Sequence, residues 1–174
     1  MATDSISVAM QDAIHDFVIA ATGLAVGKVI WSMPDADRPA PPYISLNVSS
    51  GPRSIGSPEV IHKAQDVFTF PFRKEFTLTV NSFAASGWHT LIAAVMNALE
   101  LPSKQALLTN AGIAIMRAED PIDLSGLLET GFEGRGAVDI MLGYTTEIDD
   151  TTGEIQTVEI SQTVGDVTST NTIP

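Results

Sequence analysis

Between residues 66 and 82 the chain alternates apolar and polar side chains too regularly for a helix or a loop. Phe68, Phe70, Phe72, Phe76, Leu78 and Val80 share one parity, broken only by Lys74, while Thr69, Arg73, Glu75, Thr77, Thr79 and Asn81 share the other. Successive side chains of a strand point to opposite faces, so this period predicts one long strand with a single buried face. Pro71 cannot donate to a ladder, which predicts a bend or an edge in the first half.

A one-faced sheet needs a cover, and helical patterns supply it. Ile6, Met10, Ala13, Ile14, Phe17 and Ala21 recur at helical spacing, with Asp4 or Ser5 as the cap and Gly23 where the helix stops. Trp88, Leu91, Ile92, Val95, Met96 and Leu99 make a second stripe, with Ser86 as its cap. The Leu101-Pro102-Ser103 run ends it, and a shorter helix follows. Further strands are predicted at 28–31, 43–48, 113–117 and 136–148. The last turns at 149–153 and returns along 154–160 as a hairpin. Residues 32–42 hold four prolines and stay extended; residues 49–58 are turn-rich, and 120–128 form a connecting loop. Strands and helices do not alternate strictly, so the fold class is α+β: a largely antiparallel or mixed sheet flanked on one face by two main helices. One domain is expected over residues 1–160. Residues 161–174, rich in Thr, Ser and Asn, are expected to form a polar arm without a core of its own.

Composition removes several function classes. The 174 residues include no cysteine, which excludes disulfide frameworks, cysteine zinc sites and thiol catalysis. No apolar run approaches the ~20 residues that span a membrane as a helix. The amino end lacks a positive segment, so it does not read as a secretory signal, and a cytoplasm-like compartment is expected outside any larger assembly. Charge is unevenly placed. Residues 1–118 carry 8 bases and 9 acids, whereas residues 119–174 carry Arg135 and 12 acids, a net of −11 in a chain of net −12. Such a surface does not hold a phosphate backbone by counterion release, which requires clustered Lys and Arg.

No catalytic or metal motif is found. His15, His62 and His89 lack partners at ligand spacing. The Gly-rich run 131–136 precedes a strand instead of opening a helix, so it is no phosphate cradle and its glycines are expected to form a turn or bulge. Glu147, Asp149, Asp150 and Glu154 do not have calcium-loop spacing. Ser86 near His89 lacks a nucleophile elbow. An acidic hydrolase built on Asp139, Glu133 and His89 would have no workable spacing. Neither cofactor nor metal is expected.

The order of short motifs resembles that of tailed-phage neck terminator (tail terminator) proteins. Val29-Ile30-Trp31 is followed by Ala-Asp-Arg-Pro-Ala-Pro-Pro-Tyr at 36–43 and a strand to Val48. Trp88-His89-Thr90-Leu91 leads a helix, and Gly112-Ile113-Ala114-Ile115 leads a strand. Asp123-Leu124-Ser125 precedes Phe132-Glu133-Gly134-Arg135, then Val138-Asp139-Ile140, Tyr144 and the returning segment 153–160. The likeness covers about residues 28–160. Gly134 and Gly136 depart from it, standing where larger residues are expected.

The resemblance implies a non-enzymatic virion protein at the head–tail junction, present in the host cytoplasm during assembly. It implies a homo-oligomeric ring, hexameric, that stops the tail tube and joins it to the head connector or stopper, with the sheath as a further partner. Viral DNA would pass through the lumen without specific binding, and no membrane is involved. Six copies at −12 each would bring 72 negative charges. The candidates for lumen or subunit contact are Glu147, Asp149, Asp150, Asp120, Asp123, Glu133 and Arg135. The candidates for a partner-contact loop are Trp31, Asp35, Asp37, Arg38 and Tyr43, with the 161–174 arm beside them. Other readings are a stopper or tail-completion ring and a monomeric binding module.

Overall fold

A computed structural model describes residues 6–32, 38–64, 67–84, 86–128, 131–151, 158–164 and 167–173. The chain forms two compact units, Met1–Ser57 with Phe72–Thr146, and Pro58–Pro71 with Glu147–Pro174.

In chain order the elements are α1 (Val8–Thr22), β1 (Val29–Trp31), β2 (Tyr43–Ser54), β3 (Ile61–Ala64), β4 (Val67–Ala84), α2 (Trp88–Leu99), α3 (Pro102–Thr109), β5 (Ala114–Ala118), β6 (Ile122–Asp123), β7 (Gly126–Leu128), β8 (Gly131–Thr151), β9 (Val158–Val164) and β10 (Val167–Ile173). The sheet runs β1-β2-β4-β8-β5, with β6 and β7 also paired to β8. β1 and β2 are parallel, Val29 opposite Ile44; β2 with β4, and β5, β6 and β7 with β8, are antiparallel. The class is α+β, as the patterning predicts.

In the first unit, one face of the sheet carries the core. Ile44 and Leu46, then Phe76, Leu78 and Val80, then Val138, Ile140 and Leu142 meet Ile14, Phe17 and Val18 of α1, Ile92, Val95 and Leu99 of α2, and Leu108 of α3. Each strand contributes alternate residues, as a sheet with one dry face requires. The two main helices and the shorter α3 form the cover, α3 packing on both α1 and α2. Its start at Pro102 uses the position where a missing N–H costs nothing.

Several boundaries differ from expectation for identifiable reasons. Ser7, whose Oγ accepts from Met10 N at 3.3 Å, caps α1; Asp4 and Ser5 lie outside the described residues. Gly23 closes the helix as expected, left-handed at φ 71°. Ser86 does not cap α2; Gly87 occupies that position at φ 82° without a side-chain bond. β2 continues through 49–54 because register shifts between Val48 and Ser50, and between Ser50 and Arg53, absorb Pro52. The stretch 120–128 is not a plain loop. With β5 it makes an edge along β8, interrupted where Pro121 has no N–H to give.

The second unit explains why the single buried face of the long strand holds only from Phe76 onward. In that unit Thr69 is fully buried while Phe68 and Phe70 are half-buried, so the parity is reversed. β3, which the sequence pattern does not announce, pairs there with the start of β4, Ile61 opposite Thr69. Among the described residues β9 pairs with β10, from Val164 opposite Val167 to Val158 opposite Ile173. Of the hairpin expected between 136–148 and 154–160, residues 152–157 lie outside the described residues, and Val158–Ile160 pair with 171–173. Residues expected to extend as an arm after 160 supply most of this ladder.

Candidate assembly surface

The face of the sheet away from the helices is polar along β4 and β8 and is bound by side chains of the first unit. Thr79 Oγ1 donates to Asp139 Oδ1 at 2.5 Å across the two strands. One step further along, the Arg135 guanidinium lies 5.0 Å over the Phe83 ring, and its Nη2 donates to Asn81 Oδ1 at 3.1 Å. Phe83 in turn stacks on Tyr43, ring centroids 4.6 Å apart at 8°. A cation held over an aromatic face is attracted by the ring quadrupole, so the stack fixes Arg135 in one orientation.

The backbone of Arg135 is fixed as well. Ser125 Oγ accepts from Arg135 N at 3.0 Å and donates to its carbonyl at 3.3 Å, and Leu124 N donates to the same carbonyl at 2.8 Å. Asp123 Oδ1 accepts from Ser125 N at 2.8 Å, a local turn that holds the edge against β8. Those hydrogen bonds from Ser125 hold the Asp123 carboxyl below its ordinary range. Burial raises the Tyr43 phenol above its ordinary value near 10, against the lowering pull of Arg38 beside it.

Among the hollows on this unit, two are lined in part by exposed apolar side chains. The first, about 540 Å³, is lined by Thr79, Asn81, Glu119, Asp120, Ile122, Leu124, Ala137, Val138 and Asp139. Its rim is acidic, and Ile122 and Leu124 are 60% and 46% exposed. The second, about 440 Å³, is lined by Ile55, Arg73, Lys74, Gly112, Ala114, Met116, Gly143, Tyr144 and Thr145. Arg73 is exposed at it, and Met116 is 55% exposed.

On the helix side, Gly134 and Gly136 explain their own departure from the expected larger residues. A Cβ at Gly136 would fall inside the Trp88 indole, 2.8 Å from Cδ2 and closer still to Cε3 and Cζ3. One at Gly134 would meet the Ala84 carbonyl oxygen and lie 3.3 Å from Trp88 Cδ1. The two glycines are a flat seat inside β8 for the first side chain of α2, and not the turn or bulge the sequence suggested. Ser82 Oγ donates to the Trp88 carbonyl at 3.2 Å and fixes the same helix start. Glycines at alternate positions of a strand, with an unpaired tryptophan elsewhere, were the available signal for this seat.

Of the sequence candidates, Asp120 stands exposed at the acidic hollow, Asp123 holds its local turn, and Glu133 and Arg135 are half-buried near Tyr43. Tyr43 is 3% exposed and Trp31 packs against the core, so neither ring offers an open face. Arg38 is exposed; Asp35 and Asp37 lie outside the described residues. Glu147, Asp149 and Asp150 belong to the second unit and are exposed on β8, which continues to Thr151, so they sit on a strand and not at a turn tip. Asp149 Oδ1 accepts from the buried Thr69 hydroxyl at 2.5 Å.

His15 Nε2 hydrogen-bonds the Val29 carbonyl at 2.9 Å. Among the described residues no group of three His, Asp or Glu is placed to hold a metal, and no helix is long and apolar enough to cross a membrane. Residues 8–169 match the family described as phage neck terminator protein. Among curated proteins none matches the chain.

Proposed function

The chain belongs to the phage neck terminator protein family, a family of structural virion proteins and not of enzymes, and from that premise we propose that it closes the end of the tail tube as a ring and joins it to the head. The observation that carries the reading is the length of the family match, 8–169 of 174 residues, which takes in all of the first unit but its first seven residues and most of the second.

The physical logic follows from repetition of one surface. Copies that meet head to tail through two different patches close into a ring if the rotation closes, and six copies are the number proposed. One ring face fits the tube and stops its growth, because the opposite face does not reproduce the tube's own docking surface. That opposite face receives the head connector or stopper, with the sheath outside. Acidic side chains facing the lumen repel DNA phosphate, so the genome slides without sticking. Screening over ~8 Å leaves this repulsion effective close to the wall.

Phage produced without this chain should yield heads and tails that are not joined, with tubes of widely scattered length and infectivity reduced by orders of magnitude. Electron microscopy of the lysate reads both effects. Tails of uniform length still attached to heads would contradict the proposal.

A further inference from the structure

In the first unit, the hollow beside Met116 has an unanswered cation at its rim. The Thr79–Asp139 bond shows that odd-numbered residues of β4 and β8 share the face away from the helices. Arg73, Gly143 and Thr145 therefore stand together there, while Lys74 belongs to the other parity and is already engaged. Arg73 is exposed, and among the described residues no carboxylate or other acceptor meets its guanidinium. Neighbouring charges are answered within the copy: Arg53 pairs with Glu75, Arg117 pairs with Glu119, and Asp139 accepts from Thr79. In a chain of 21 acids and 9 bases, an acid left to solvent is ordinary and a base left to it is not. The remainder of the hollow is apolar and is shaped by two backbone features. A register shift between Ile115 and Arg117 bulges β5 at Met116, and a bulge re-aims the side chain it carries. Met116 lies against Gly143, where a Cβ would come within 3.2 Å of its Sδ. The bare glycine gives the hollow its depth, about 440 Å³ with Ile55 and Ala114 at its walls.

We propose that this hollow docks an extended acidic segment of a partner protein. An aliphatic side chain of the segment enters between Ile55, Met116 and Gly143, and the carboxylate next to it meets Arg73. Charge complementarity selects this occupant: an unanswered guanidinium calls for a carboxylate, and exposed apolar walls beside it call for an apolar group on the same segment. A guanidinium takes a carboxylate through two parallel hydrogen bonds, which fixes the direction in which the segment lies. Methionine is unbranched and adapts to the side chain that enters. A phosphate backbone is a poor match, because one exposed guanidinium without clustered bases does not hold it. The contact stands whether or not copies of the chain close into a ring.

Methyl signals of methionine report on the hollow directly, since the chain has six methionines and Met116→Leu assigns the relevant one. The purified full chain, isotope-labelled at its methionine methyl groups, is titrated by nuclear magnetic resonance with the dipeptide acetyl-Glu-Leu-amide. Acetyl-Gln-Leu-amide serves as the control of equal shape without the charge, and acetyl-Glu-Gly-amide as the control without the aliphatic group. The expected result is a saturable shift of the Met116 signal by the first peptide at ~millimolar concentration, as suits so small a ligand. The uncharged peptide should bind about three- to fivefold more weakly, and the glycine peptide should leave the signal unmoved. Arg73→Gln should bring the acidic peptide down to the level of the uncharged one, with the thermal melt unchanged. A Met116 signal that none of the peptides moves, or equal binding of the acidic and uncharged peptides to the native chain, would overturn the proposal. A signal that moves with protein concentration alone would put a second copy of this chain in the hollow and overturn the partner named here.

Discussion

Replacing Gly136 by alanine is expected to destabilise the protein by about 3 kcal/mol or more, a large share of the ~5–15 kcal/mol that holds a domain together. The added carbon would occupy the volume of the Trp88 indole, and ring atoms of a tryptophan cannot yield as the end of a lysine would. Either the ring leaves its seat, losing burial of the kind that costs ~3–5 kcal/mol when an aromatic is removed, or β8 moves away from α2. Urea unfolding followed by far-ultraviolet circular dichroism gives the magnitude. The mechanism is tested by a cycle with Trp88→Ala, which should be costly alone and should make Gly136→Ala close to harmless. Contacting residues show this failure of additivity, whereas independent ones do not. Equal costs for Gly136→Ala in both backgrounds would contradict the seat.

Glu147→Lys combined with Asp150→Lys is expected to leave particles assembled but strongly impaired in genome delivery. Both positions are exposed on β8, and in a ring of six the exchange replaces 12 negative charges with 12 positive ones on the wall proposed to face DNA. Lysines that reach phosphate bind with a steep salt dependence, so delivery should recover as ionic strength rises. Asp149 is left unchanged, because removing the acceptor of the buried Thr69 hydroxyl costs ~1–3 kcal/mol and would mix a folding defect into the result. DNA release is followed by dye fluorescence at two salt concentrations. Normal release at low salt would remove these acids from the lumen.

The alternation from Phe76 to Val80 and the stripe from Trp88 to Leu99 were legible in the sequence because burial on one side leaves a period. The same pattern misled between Phe68 and Phe72. Parity alone does not reveal that a buried threonine finds a carboxylate 80 positions away. Ser86 reads as a cap, yet a seat for Trp88 starts that helix, and seats are built from residues distant in sequence. Likewise the edge along β8 was hidden at 120–128, where Pro121 and a two-residue strand leave no period to count. Asp120 could be singled out from the charge imbalance. Its apolar neighbours Ile122 and Leu124 line one hollow with it only once the sheet brings β4, β6 and β8 side by side.

The central claim is that this chain acts as a ring between tail tube and head. Cryo-electron microscopy of intact virions, reconstructed at the neck without imposed symmetry, tests it most directly. The account predicts six copies of the first unit around the axis, seated on the last ring of the tube, with an open lumen occupied by DNA. A neck in which that density is filled by other chains, or in which this chain stands as a single copy off the axis, would contradict it.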